Sequence, residues 1–354
     1  MNNYPKYFAI DLITGRCNNH CQHCYSDIPF DIETLPYKKI VSLIDELDKS
    51  TLSEFVLAPW MLMHDPLLVK SIDRLVPMLK KRFPKGVYSS DGLVSNFSVF
   101  SRKPKLIEIL KDMGIREYQF SFYGIGKTHD DHAGRTGAFD DIISVLPIMN
   151  NLNIDVKPIV WLHNKIGDDL IEIKKLLQKY DIMSNGRVLP AFIPDPVGRQ
   201  LLNEDLRPTY EDLIEYQDLV PSSIFNIIEG EVYQKYLSGK LPAKKKSTEN
   251  KLTEKEQLQN IMCAYTVLPS GDVYPFWEPI HPLFKLGNLF EDGIDHIHEI
   301  NFGSQISGRT IINSYDEQEL IRKWGNPNSR KLYSDSGWVI ERYKLNEFYE
   351  HNPL

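Results

Sequence analysis

The stretch YFAIDLITGRCNNHCQHCYSD, residues 7–27, joins a short apolar run to three cysteines that fall within eight positions. YFAIDLIT (7–14) has the aromatic and β-branched content of a buried strand. Gly15 interrupts it, and Cys17, Cys21 and Cys24 follow in the spacing Cys-x3-Cys-x2-Cys. The only other cysteine of the 354-residue chain is Cys263.

Outward from this segment, the first half of the chain alternates short β-like runs with longer helical patterns, as βα units wound around a parallel sheet do. Strands are expected near 7–14, 54–58, 86–90, 117–123, 154–162 and 186–192. Between the first two, YKKIVSLIDELDK sets Ile40, Leu43, Ile44 and Leu47 on one helical face, and KPKLIEILKDMG ends in a glycine suited to stop a helix. Six such units predict an α/β fold: a partial (β/α)6 TIM-like barrel, with reactive groups at the C-terminal ends of its strands. The cysteine stretch follows the first strand and belongs at that rim. After about residue 193 the pattern becomes irregular, and CAYTVLPSGDVYPFWEP (263–279) reads as a β-hairpin turning at Pro269 to Asp272. Residues 1–193 are therefore expected to form the barrel core, 194–260 a helical bridge, and 261–354 a small α+β C-terminal extension.

A composition 42% hydrophobic and 25% charged suits a globular chain, and a net charge of −7 offers no broad basic surface for nucleic acid or anionic lipid. No signal-like N-terminus and no run of 18 apolar residues is present, so a cytoplasmic protein is expected, with neither membrane nor nucleic acid as partner.

Three clustered cysteines in a reducing compartment read as metal-binding or redox residues rather than as a disulfide framework. Zinc needs a fourth ligand, for which His20 or His23 is available. A four-iron cluster held by three thiolates keeps one iron open to an outside ligand. The spacing after a strand resembles the signature of the radical S-adenosylmethionine (SAM) superfamily. LIEILKDMGIREYQFSFYG, THDDHAGRTGAFDDI, VYSSDGL and PVGR resemble further segments of that family, and the 263–279 hairpin with KLGNL resembles its SPASM or twitch extension.

That resemblance implies a [4Fe–4S] cluster on Cys17, Cys21 and Cys24, SAM on the open iron, and an electron donor such as flavodoxin or ferredoxin. It implies SAM contacts from Ser90, Ser121, Arg135 and Lys157, with Arg199 a second candidate carboxylate clamp. The substrate implied is a peptide or a natural product such as a sugar or aminoglycoside, and the leading outcome is redox-neutral epimerisation with Cys263 returning the hydrogen atom. Radical cross-linking of a ribosomal peptide, or a non-catalytic iron–sulfur or zinc scaffold, are the alternatives. Two departures stand out. The family's Gly-Gly-Glu-Pro after the second strand is set against Ala58, Pro59, Trp60 and Met61, which leaves no carboxylate there. The extension has Phe276 where a cluster cysteine is usual, so it is expected to be cluster-free.

Overall fold

A computed structural model describes residues 7–13, 15, 17–24, 32–50, 57–59, 65–82, 92–182, 188–196, 201, 203–240, 262–275, 278–303 and 307–353. Strand β1 (Tyr7–Leu12) is followed by α1 (Tyr37–Asp48), β2 (Leu57–Pro59) and α2 (Ile72–Arg82). Ile40, Leu43, Ile44 and Leu47 of α1 are all buried, as the 3.6-residue period requires. Next come β3 (Gly92–Val94), α3 (Ser98–Arg102), α4 (Lys105–Asp112) and β4 (Glu117–Phe122). Helix α4 stops at Gly114, whose φ of +89° is open to glycine and costly for other residues, and Ile115 N closes the end on Leu110 O at 2.9 Å.

Helices α5 (Lys127–Ala133) and α6 (Ala138–Asn151) lead to β5 (Asp155–Trp161), α7 (Asp169–Lys179) and β6 (Ala191–Phe192). Strands β3, β4, β5 and β6 form a parallel sheet in that order. Along β4, Tyr118, Phe120 and Phe122 are fully buried in the main apolar core, while Glu117, Gln119 and Ser121 alternate onto the other, concave face. The third strand lies at 92–94, beyond the expected 86–90, a stretch outside the described residues.

The expected hairpin is present as β7 (Met262–Val267) and β8 (Asp272–Pro275), antiparallel to each other, with the short β9 (Gly287–Asn288) beside β8. It does not stand apart from the core. Strand β7 pairs in parallel with β1 over Tyr7↔Met262 to Leu12↔Val267, giving a second sheet of order β2-β1-β7-β8-β9. Helices α8 (Glu229–Leu237), α9 (Ile294–Gly303), α10 (Ser307–Ser314), α11 (Glu317–Trp324) and α12 (Ser336–His351) complete the chain. Among the described residues no helix is long and apolar enough to cross a membrane.

Candidate active site

The cysteine loop leaves the C-terminal end of β1 and is fastened to the end of α5. His20 N donates to Ala133 O at 2.7 Å and Gln22 N to His132 O at 2.9 Å. These are last-turn carbonyls that a helix cannot satisfy internally, so the loop's amides complete the helix end. Gly134, at φ +63°, lets the backbones meet: a Cβ there would lie 2.8 Å from the His20 carbonyl oxygen. Asn203 Nδ2 donates to Gln22 O at 2.7 Å from the far side.

Cys17, Cys21 and Cys24 are half-buried thiols lining an open cleft of about 190 Å³. Cys17 Sγ accepts from Asn19 N at 3.4 Å and Asn96 Nδ2 at 3.6 Å, and Cys21 Sγ donates to the Tyr123 hydroxyl at 3.6 Å. Burial, then the neighbouring Cys24, pushes the Cys21 thiol up to about 12; burial, then Asp65 and Cys21, pushes Cys17 higher still. Three thiolates here need a shared positive centre. Three soft sulfur donors on one loop suit an iron–sulfur cluster, which takes one thiolate per iron and leaves an iron open.

Asp65 is the functional candidate that the sequence reading missed. It is 3% exposed, lines the cleft and opens the helical turn Pro66–Leu68. Its carboxylate accepts from Leu67 N at 3.0 Å and from Ser95 Oγ and Asn96 N at 3.1 Å each. Burial outweighs these bonds and raises its pKa to about 6. No carboxylate stands at Ala58 to Met61, of which residues 60 and 61 lie outside the described residues; Asp65, four positions beyond Met61, is the carboxylate that lines the cleft instead. The available signal was Asp-Pro ahead of an apolar run, a helix N-cap with proline at the first position.

Asn96, Phe97 and Ser98 brace Cys17 from β3. Phe97 is fully buried at φ +62°, a backbone cost of about 1–3 kcal/mol that its packed ring sustains. This turn aims Asn96 Nδ2 at Asn18 Oδ1 (2.6 Å), while Asn18 donates to Ser98 Oγ at 2.8 Å. Arg135 stands behind the loop. Its Nε donates to Asn19 Oδ1 at 2.6 Å and its Nη1 pairs with Asp141 at 2.7 Å, while Nη2 is buried with no hydrogen-bond partner.

Imidazoles fill the side of the cleft toward β4. His23 Nδ1 and His132 Nε2 share one proton at 2.6 Å, and His132 stacks on His163 with centroids 4.4 Å apart. His163 Nδ1 accepts from Lys165 N at 3.2 Å, so its Nε2–H donates to Tyr123 O at 2.7 Å. Burial lowers His23 to about 3 and His129 to about 4, so both rings are neutral near pH 7. Asp130, beside His129, orders its own loop by accepting from Gly137 N at 2.6 Å and Phe139 N at 2.9 Å.

Of the other sequence candidates, Ser121 lines the cleft and accepts from Trp161 Nε1 at 3.1 Å. Lys157 lies lower on the same strand face, pairs with Glu117 at 2.6 Å and is not among the cleft-lining residues. Ser90 and Arg199 lie outside the described residues. Cys263 sits in β7 opposite Phe8, and its side chain is outside what is described.

A parallel βα half-barrel with three thiols on the loop after its first strand, opening onto a buried carboxylate, has the build of a radical SAM domain. Residues 12–177 match the Radical SAM superfamily, and the chain carries a radical SAM domain over that span. The family uses a [4Fe–4S] cluster and SAM. Among curated proteins, the chain is 26% identical over 205 residues to Fe-coproporphyrin III synthase of Methanosarcina barkeri, covering 55% of this chain and 46% of that protein. It is 24% identical over 167 residues to the sporulation killing factor maturation protein SkfB of Bacillus subtilis, covering 46% and 37%. The chain thus spans less than half the length of either relative. Among solved structures, Streptococcus suis SuiB bound to S-adenosylmethionine superposes with a TM-score of 0.53 at 13% identity, over 91% of this chain and 75% of that one. The structure of anSMEcpe with bound AdoMet gives 0.52 at 12% identity, over 98% and 95%. These likenesses show the fold.

Proposed function

We propose that the chain is a radical SAM enzyme that abstracts a carbon-bound hydrogen from a peptide, with Cys17, Cys21 and Cys24 holding its cluster. One observation carries the reading: three clustered thiols open onto a cleft that also holds a buried carboxylate. When bound, the cluster and SAM supply one-electron cleavage to a 5′-deoxyadenosyl radical. Asp65, which lines the cleft, would take the ammonium of SAM. Arg135, whose Nη2 is buried without a partner behind the loop and not among the cleft-lining residues, is the donor proposed for its carboxylate. Ser121 and the neutral His23 line the wall below, where an adenosyl group would lie, and Tyr123 fixes the Cys21 side of the loop. A peptide substrate is supported by the structural neighbours solved with the precursor peptide SuiA and with the Cp18Cys peptide, and by SkfB, a peptide-maturation protein by its name.

Anaerobic reconstitution tests this reading. About four irons per chain, and 5′-deoxyadenosine from SAM with a flavodoxin, ferredoxin or chemical reductant, are expected. One zinc per chain and no deoxyadenosine would sink it.

Redox-neutral epimerisation is the finer proposal, with the β7–β8 hairpin as a cluster-free remnant of a SPASM-like extension. A Cys263 thiol would give its hydrogen to the substrate radical, and an external electron and proton would restore the resulting thiyl. Register sets Cys263 opposite Phe8, four residues before Val267, which pairs with Leu12 at the rim. That is roughly 13 Å along the strand, so the substrate carbon must lie deep in the barrel. Cys263→Ala should stop solvent deuterium from entering product while deoxyadenosine still forms. Unchanged deuterium incorporation excludes this thiol.

A further inference from the structure

The bridge segment holds the cysteine loop at one backbone carbonyl. Asn203 Nδ2 donates to Gln22 O at 2.7 Å across 181 positions of sequence. Gln22 and His23 are the central residues of the turn that Cys24 N closes on Cys21 O at 3.2 Å. The carbonyl that Asn203 holds therefore belongs to the peptide at the middle of the turn, between two of the three thiols. Such a turn has two forms, related by turning this peptide over, and the second needs a positive φ at the third residue. Among the described non-glycine residues φ is positive at Phe97, Asn153 and Asp181, so His23 keeps a negative φ and the turn is in its first form. Planarity sets the His23 N–H opposite the Gln22 carbonyl. Turned over, the peptide would put a carbonyl oxygen where that N–H now points, and donors around the sulfurs are among the features that set how a cluster takes an electron.

Asn203 is itself placed by charges from the far end of the chain. It starts the short helical turn Glu204–Leu206, which Leu206 N closes on Asn203 O at 2.9 Å. An asparagine at this position commonly caps its own turn. This one makes no such bond, and its amide goes to Gln22. The carboxylate of Glu204 accepts from Arg207 Nη2 at 2.7 Å, the Tyr333 hydroxyl at 3.1 Å and Arg342 Nη1 at 3.2 Å, while Lys331 Nζ donates to its backbone carbonyl at 2.6 Å. Asn164 holds the same turn from the barrel, its N on Leu206 O at 3.0 Å and its Nδ2 on Asp205 O at 2.8 Å. A turn bonded from both sides fixes the direction in which Asn203 points.

We infer that Asn203 is a positioning residue for the cluster: it holds the Cys21–Cys24 turn in one form, and the Glu204 network holds Asn203. Residues 331–342 thereby act on a site whose cleft they do not line. The inference rests on the assignment of Cys17, Cys21 and Cys24 to a cluster, and nothing in it depends on the substrate.

The anaerobically reconstituted full chain is compared with Asn203→Ala, Asn203→Asp and Glu204→Gln. Iron content, the rate at which a chelator bleaches the cluster, and the electron paramagnetic resonance of the reduced cluster with and without SAM are measured. All four proteins should load about four irons per chain. Asn203→Ala should bleach about fivefold faster and shift the resonance, through loss of one hydrogen bond. Asn203→Asp should bleach faster still, because a carboxylate of the same shape sets an acceptor against the Gln22 carbonyl. Glu204→Gln should reproduce the alanine effect in weaker form, about twofold. An Asn203→Asp protein that matches wild type shows that the side chain acts by bulk alone and overturns the inference, as does loss of the urea transition in both Asn203 variants. A Glu204→Gln protein that matches wild type overturns the part assigned to the network. Wild type that takes up zinc and no iron overturns the cluster reading and this inference with it, whereas loaded wild type beside unaffected variants overturns this inference alone.

Discussion

Among the described residues, two clusters of buried ionisable side chains are built on opposite plans. At the cysteine rim, burial drives groups toward neutrality: thiols and Asp65 are raised and imidazoles are lowered, so protons are held where charges are absent. Between the bridge segment and α12, the charges are kept and paired. Arg207, fully buried, grips Glu204 at 2.7 Å and lies 4.1 Å from the Tyr333 ring. Arg342 reaches Glu204 at 3.2 Å and pairs closely with Glu229, which also accepts from Tyr343 at 2.7 Å and Ser329 at 2.6 Å. Burial pushes Glu204 up, but Arg207 and Arg342 outweigh it and hold its carboxyl below the ordinary value. Satisfied charge is a fastening. Groups that burial holds uncharged around an open cleft mark a candidate ligand site.

The largest expected effect breaks the fastening. Glu229→Ala strands Arg342, whose Nε already lacks a partner, in a buried setting. Removing one partner of a buried pair costs about 3–5 kcal/mol. Urea denaturation should show a loss of this size, and a loss below about 1 kcal/mol would mean that water reaches and replaces the pair.

This contrast was only half legible in the sequence. The local signals were sound: the one-sided face of α1, the glycine end of α4, the strand near 117–123 and the hairpin turn expected at 269–272, which the structure sets one residue earlier, all stand in the structure. Pairing across the chain left no such trace. Strand β7 lies beside β1 although some 250 residues separate them in sequence, because periodicity reports which residues are apolar and says nothing of which strand covers them. Nothing local in the sequence marks Glu204, Arg207, Glu229 and Arg342 as buried, for the same reason: each is paired with the others only across the fold. Asp65 was hidden by distance from its strand, since the eye follows the end of β2 and the acid arrives after residues 60–64.

The next effect sharpens the rim. Asp65→Asn keeps the shape and removes the charge, so the KM for SAM should rise tenfold or more, about 1.4 kcal/mol, with iron content unchanged. The pH dependence has a definite sign. The folded pKa, about 6, lies above the ordinary 3.8, so the folded state favours the protonated acid. Its contribution to stability is full below about 3.8 and is lost as pH rises through 6. Wild type should therefore lose stability relative to Asp65→Asn between about pH 4 and 6, while its SAM affinity increases as the folded carboxylate ionises through about 6. Glu204 runs the other way: its folded pKa is lowered, so its contribution is present above the ordinary 4.5 and fades as pH falls below that. Parallel pH profiles for Asp65→Asn and Glu204→Gln would show that the two regions do not differ in the way proposed.

The smallest effect concerns Lys157, which shares the concave face with the cleft yet has its charge met by Glu117. Its side chain is 61% exposed, and an ion pair this open contributes about 0–1 kcal/mol. Lys157→Met should change the urea midpoint little and leave the KM for SAM within about twofold. A tenfold rise would instead assign Lys157 to ligand binding, and would mean that the Glu117 pair opens when SAM enters.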